Sequence, residues 1–283
     1  MIDTKVDESF LETPIARIKV NSSHGNKVVA TIRNITSTTI IPISVENFLG
    51  DIDKNKYILA LKEVEKFSKN NPEKDILVNI SLGFTEKEFQ KKLIKKISGE
   101  NLRIIAAAGN NNSEKKIYPA AFTEVLAVAG LENNKKMVGS NYGEYVDISA
   151  SGVMKVNENF YLPSLNFSQT SIIKGTSFAA PQVTALLAKM KSYNKNLTIN
   201  QAIEIMKESA TEIEDELYKD NKLGFGKINK LKSLNKSSSI YFWGRILTLI
   251  SLLMFLLILF VVLWKKISLA AILVFLFLLV ISA

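Results

Sequence analysis

The chain has 283 residues, room for one sizeable domain and a smaller appendage, and 47% of them are hydrophobic. It contains no cysteine, which excludes a disulfide framework, a thiol nucleophile and a thiolate metal site. The formal charge of +9 resides almost wholly at one end, because no Asp or Glu follows Asp220 whereas Lys222, Lys227, Lys230, Lys232, Lys236, Arg245, Lys265 and Lys266 do. Setting these aside leaves a nearly neutral body, so the charge offers no nucleic-acid groove. It lies instead beside an apolar tail, where anionic lipid head groups account for it.

In chain order, Met1-Ile2-Asp3-Thr4 reads as a short strand, and His24, the only histidine, opens a helical stretch. Beyond it short apolar runs alternate with amphipathic segments, the pattern of a parallel sheet with helices on both faces. The spacing predicts a helix over Lys54–Asn70, a strand over Ile76–Leu82, a helix over Glu86–Ser98, and strands over Leu102–Ala107, Val125–Ala129 and Val146–Ala150. Helices over Ser177–Tyr193 and Asn200–Ala210 and a short turn near Lys227–Leu234 follow. In the second of the helices Phe89, Leu93, Ile94 and Ile97 recur at three- and four-residue spacing, so the lysines between them form a solvated face.

Asn235-Lys236-Ser237-Ser238-Ser239 reads as a flexible linker, which divides the chain into a body over 1–234, a linker over 235–242 and a tail over 243–283. Ile246–Leu263 is uncharged and bracketed by Trp243 and Trp264. At ~1.5 Å per residue that bracket spans roughly 30 Å, the thickness of a bilayer core, with the tryptophans where interfacial aromatics belong. After Lys265-Lys266 a second apolar run, Ile267–Ala283, is near the lower limit for a span at about 17 residues. The expectation is a transmembrane helical hairpin with arms over 243–264 and 267–283, partnered by the lipid bilayer. Its C-terminal position argues against a signal peptide. Basic residues concentrated on the body side favour a cytoplasmic body by the positive-inside bias.

The chemistry-bearing string is Gly175-Thr176-Ser177-Phe178-Ala179-Ala180-Pro181. Ser177 would stand at a helix N-terminus, where backbone N–H groups and the positive dipole end converge, and Pro181 would fall in the first turn. A serine hydroxyl is a weak nucleophile, so it needs a base, a group that orients the base, and donors for the oxyanion that forms. His24 can take the proton and return it to a leaving amine. Asp3 can orient the imidazole, with Asp7 as the alternative.

In residue type and chain order, Asp3, His24 within HGNKVVATI, and Ser177 within GTSFAAP resemble the subtilisin-like serine proteases. Asn26 and Lys27 replace the Thr and His often found after HG in that family, Val29-Ala30 replace Ala-Gly, and Lys5 stands where Gly is usual after Asp-Thr. Ala106-Ala107-Ala108-Gly109-Asn110 resembles the segment whose Asn side chain, with the nucleophile's backbone N–H, forms the oxyanion hole, which implies that role for Asn110. Asn79-Ile80-Ser81-Leu82-Gly83 resembles the strand lining the substrate cleft; Tyr118-Pro119-Ala120-Ala121 and Ser140-Asn141-Tyr142-Gly143 match family segments as well. By analogy Ser81, Leu82 and Gly83 on one side and Ala107, Ala108 and Gly109 on the other pair with an extended substrate.

The resemblance covers Met1 to about Leu234. It implies an α/β subtilisin-like fold, a parallel sheet flanked by helices, and a serine endopeptidase that hydrolyses peptide or protein substrates through an acyl-enzyme on Ser177. No organic cofactor is implied. Family members often bind calcium for stability, but no acidic loop here is assignable to a metal, and Asp51-Ile52-Asp53 reads as a solvated turn. The competing reading is a catalytically silent module that holds extended peptides at a membrane, supported by the short strand before Asp3 and by Lys5. A lipase would need a Gly-x-Ser-x-Gly elbow and the reverse order of the triad.

Overall fold

The short apolar runs bounded by turn residues become buried parallel strands. The structure, a computed structural model, describes residues 1–6, 23–162 and 165–281. Strands β1 (Ile2–Asp3), β2 (Ile43–Ser44), β3 (Ile76–Ile80), β4 (Leu102–Ala107), β5 (Val125–Glu132), β6 (Lys135–Lys136) and β7 (Ile148–Ser151) form one seven-stranded sheet. Its order is β2-β1-β3-β4-β5-β6, with β7 also on β5, and every pair is parallel except β5 with β6.

Strand side chains alternate between faces, and the two faces are both covered. Ile104 and Ala106 of β4 join a core with Tyr57, Ala60, Leu61 and Val64 of helix α2 (Lys54–Asn70) and Ile94 and Ile97 of α3 (Glu88–Ile97). Ile105 and Ala107 point the other way, into a core with Val183, Leu186 and Leu187 of α4 (Thr176–Tyr193) and Ala202 and Met206 of α5 (Ile199–Glu208). Each stripe recurs at three- and four-residue spacing, which is why these sequences are helices. Caps start two of them: Asp53 accepts from the N–H groups of Asn55 and Lys56, and Thr198 forms a capping box with Gln201.

The strand order reverses at β1, with β2 on one side and β3, β4 and β5 on the other. In open parallel sheets the crevice beyond the strand C-termini at such a reversal is where ligands bind. The C-terminal end of β1 carries Asp3, that of β3 leads into Ser81, and that of β4 leads into Ala108 and Gly109. Helix α1 (His24–Arg33) opens beside the end of β1: the N–H of Gly25 donates to Thr4 Oγ1 at 2.7 Å. A Cβ on Gly25 would lie 2.5 Å from the Thr4 carbonyl oxygen, so only glycine permits this approach.

Two features depart from the sequence expectation. Strands β8 (Val153–Leu162) and β9 (Leu165–Lys174) form an antiparallel hairpin, paired from Val153 with Lys174 to Leu162 with Leu165, that leads the chain into Gly175. Polar runs such as Asn157-Glu158-Asn159 and Ser168-Gln169-Thr170-Ser171 erase the alternation that would have announced it. Short helix α6 (Glu216–Lys219) is likewise unannounced.

The second departure is at the C-terminal end, where helix α7 runs unbroken over Lys230–Ile281. No linker interrupts it over 235–242 and no hairpin turn forms at Lys265-Lys266, a correction to the two-armed hairpin. No proline and only one glycine, Gly244, occur in that stretch, and lysine is a good helix former, so nothing breaks the ladder of hydrogen bonds. The chain divides inside this helix into two compact units, Met1–Ser237 and Ser238–Ala283. Among the described residues no helix is long and apolar enough to cross a membrane.

Candidate active site

Asp3, the second residue of a two-residue strand, is held by its neighbours. Ile2 pairs with Ile43 and Ile80 on either side and is fully buried, and the N–H of Val45 donates to the Asp3 carbonyl at 3.0 Å. The Asp3 side chain is 1% exposed. Its Oδ1 accepts from the N–H of Thr4 at 2.7 Å and lies 2.6 Å from His24 Nδ1. Among the described residues its Oδ2 is buried with no hydrogen-bond partner, an arrangement that costs about 1–3 kcal/mol. Because an ionised carboxylate only accepts, the contact places the imidazole proton on Nδ1 and leaves the Nε2 lone pair free to take a proton. Asp7, the alternative orienting group, lies outside the described residues.

His24 is the first residue of α1, whose N-cap Ser23 accepts from the N–H of Asn26 at 3.2 Å. Ala30 of α1 packs with Phe178 of α4, and the His24 and Phe178 rings lie 5.8 Å apart. The packing of α1 on α4 therefore brings the imidazole beside the residue that follows Ser177.

Ser177 stands in the first turn of α4 and is 8% exposed. Its Oγ donates to the Ser81 carbonyl at 3.1 Å, and Ser81 Oγ donates back to the Ser177 carbonyl at 3.0 Å. A hydroxyl has one proton, so in this resting arrangement Ser177 is committed to Ser81 and not to His24. Ser81 is in turn positioned by Asn79 Nδ2, which donates to its Oγ at 3.0 Å, while Thr184 Oγ1 donates to Asn79 Oδ1 at 3.2 Å.

Asn110 meets the start of α4 at Thr176. Its Oδ1 accepts from the N–H of Thr176 at 2.9 Å and from Thr176 Oγ1 at 3.0 Å. Two donors on one atom settle which end of the amide is oxygen and leave Nδ2 as a donor, 3.7 Å from where a Cβ on Gly175 would lie. Gly109 has φ +112°, and its N–H donates to Thr176 Oγ1 at 3.3 Å. Asn141 clasps the following loop: its Oδ1 accepts from the N–H of Asn111 at 2.7 Å, and its Nδ2 donates to the Lys115 carbonyl at 3.2 Å. Ala107 and Ala108 are buried, and the Tyr145 hydroxyl donates to the Ala108 carbonyl at 3.0 Å. Burial pushes the Tyr145 hydroxyl pKa up to about 12, so it remains a donor.

The structure thus brings Asp3 to His24, Ser81 to Ser177 and Asn110 to Thr176, the residue before Ser177. It adds Thr176, Asn79, Asn141 and Thr184 as positioning residues. All four lie within or beside the strings that the sequence singles out, yet their hydrogen bonds reach across the chain and leave no local signal. Among the described residues no group of three or more His, Cys, Asp and Glu gathers to hold a metal ion. Asp53, in the Asp51-Ile52-Asp53 turn, has its Oδ1 engaged in capping α2.

The Asp3–His24 pair and the Ser177 hydroxyl thus belong to segments that meet at the C-terminal ends of the parallel strands. The chain belongs to the subtilase family of serine-type endopeptidases, whose profile matches residues 12–226. Asp3 lies before that span. The chain is similar to the thermostable alkaline protease of Halalkalibacterium halodurans, 27% identical over 200 residues that cover 68% of this chain and 53% of that protein. It is also similar to subtilisin DY of Bacillus licheniformis, 26% identical over 213 residues that cover 70% and 73% of the two chains. The chain spans about half the length of several of the curated relatives it matches. Among solved structures, that of a lanthipeptide protease shares the fold, with TM-score 0.62 and 20% identity over 83% of this chain and 86% of the other.

Proposed function

We propose that the chain is a serine endopeptidase that cleaves peptide bonds through an acyl-enzyme on Ser177, held at a membrane by its C-terminal apolar segment. The 2.6 Å contact of Asp3 with His24, at the end of the sheet where Ser177 also stands, carries the catalytic reading. An extended substrate pairs with Ser81–Gly83 and Ala107–Gly109. Its backbone N–H takes over the Ser81 carbonyl, which frees the Ser177 hydroxyl to turn to His24 Nε2. His24 accepts that proton as Oγ attacks, and Asp3 stabilises the imidazolium. Asn110 Nδ2 and the N–H of Ser177, a first-turn group with no partner inside the helix, hold the oxyanion. His24 then protonates the leaving amine, and water repeats the sequence to release the acyl product.

Membrane attachment rests on the uncharged Ile246–Leu263 segment between Trp243 and Trp264, and on the basic residues beside it. Six of those basic residues precede the segment, and the positive-inside bias of such residues favours a cytoplasmic body.

One observation favours the second reading, a silent peptide-holding module: the Ser177 hydroxyl rests on Ser81. Labelling of the detergent-solubilised full-length protein with a fluorophosphonate separates the two. Labelling of the wild type, absent in Ser177→Ala and His24→Ala, is expected of the peptidase. A folded wild type that stays unlabelled leaves the peptide-holding module.

A further inference from the structure

Two glycines lie on segments hydrogen-bonded to the start of α4, and both meet the same side chain. Gly83 is two residues after Ser81, whose carbonyl accepts Ser177 Oγ, and Gly109 donates to the threonine just before Ser177. A Cβ on Gly83 would lie 2.3 Å from Ile117 Cγ2. One on Gly109 would lie 2.6 Å from Asn141 Nδ2 and 2.9 Å from Ile117 Cγ1. Ile117 is 8% exposed, so its side chain is wedged between the two segments. Its backbone is fixed as well. The N–H of Tyr118 donates to the Phe84 carbonyl at 2.8 Å, that of Phe84 donates to the Tyr118 carbonyl at 2.7 Å, and that of Ala121 donates to the Ile117 carbonyl at 2.9 Å.

Side chains of an extended peptide alternate between two faces, so one held between these segments with its reacting carbonyl at Ser177 would send every second side chain toward the gap between Gly83 and Gly109. Ile117 already occupies that gap. We propose that Ile117 closes the side-chain space next to the nucleophile and restricts cleavage to bonds preceded by glycine, alanine or serine. This inference rests on the serine-peptidase reading. A larger side chain must displace Ile117, yet contact with both glycine-containing segments and the paired Phe84 and Tyr118 backbones leave it nowhere to move. In a closely fitted pocket even one methylene changes kcat/KM by about 10–200-fold, so a ring or a branched chain is excluded more strongly.

The test compares kcat/KM for two quenched peptides that differ only in alanine or phenylalanine before the cleaved bond. It uses full-length wild type, Ile117→Gly and Ile117→Ala, with fluorophosphonate labelling of each protein. Wild type is expected to favour the alanine peptide by about 100-fold or more, and the preference to fall by about 10–100-fold in Ile117→Gly and by less in Ile117→Ala. A purely structural role would lower the rates on both peptides alike, and an unmoved ratio overturns the proposal. So does a wild type that cleaves the phenylalanine peptide as readily as the alanine one. A folded wild type that takes no label removes the peptidase reading and the proposal with it, whereas a labelled wild type without the preference removes the proposal alone.

Discussion

Asn110 owes its aim to Thr176, which supplies both donors to its Oδ1 and is itself fully buried. Asn110→Ala should lower kcat by about 10²–10³-fold with little change in KM, the magnitude for removal of one oxyanion donor. Thr176→Val keeps the backbone donor but removes the hydroxyl that also accepts from Gly109, so its loss of kcat should be smaller, and Thr176→Ser should recover most of it. Steady-state kinetics on one peptide check this, and equal losses in the valine and serine variants would show that the hydroxyl has no positioning role. At this scale the residue types of the site are readable from sequence, because acyl transfer demands a nucleophile, a base, an orienting acid and an oxyanion donor, and few residues suit each task. Thr176 was not readable as a support for Asn110, since nothing about a threonine next to a serine says which side chain across the fold it will meet.

Elements carry charge as well as shape. Asp147, just before β7, accepts the N–H of Ala127 at 2.8 Å and lies 3.9 Å from Lys207. Burial pushes its carboxyl pKa above 3.8, against the pull of the Ala127 N–H and of the Lys207 and Arg103 charges. A raised folded-state value means that the folded chain binds this proton more tightly than the unfolded one. The stability it contributes is present in acid and is lost as pH rises through the folded-state value. Asp147→Asn retains an acceptor for Ala127 and has no charge to desolvate. Urea denaturation should show it near wild type at about pH 4 and increasingly more stable than wild type toward about pH 7. A difference that stays constant with pH would mean that the carboxyl is not strained by burial.

The same scale explains which elements were legible. The helices α2 to α5 and the central strands stand close to their predicted positions, because each carries a periodic apolar stripe. The β8–β9 hairpin does not, because polar runs in both of its strands hide the alternation that marks a strand in sequence. The linker and the turn expected within helix α7 rest on serine and lysine, neither of which breaks a helix, and the single Gly244 does not interrupt it either.

For the whole molecule the proposed bilayer contact is the property to test. The described apolar side chains from Leu249 to Trp264 are exposed within α7. Full-length protein should remain with membranes through an alkaline carbonate wash and float with liposomes. Leu252→Lys with Leu256→Lys should release it, since a charged side chain is costly to carry into a bilayer's apolar interior. Wild-type protein recovered in the carbonate supernatant would remove the membrane from the proposal.

The sequence by itself determined the family and the α/β class and singled out the proposed chemistry-bearing residues, because those are written in short strings and in local periodicity. Only the tertiary structure decided that a two-residue strand is rigid enough to hold Asp3 against His24, which follows from burial of Ile2 between two neighbouring strands. It alone decided that Ser177 rests on Ser81, 96 residues away in sequence, and that Ile117 fills the gap between Gly83 and Gly109. Such contacts depend on which segments the strand order brings side by side, and no local pattern of residues encodes that order.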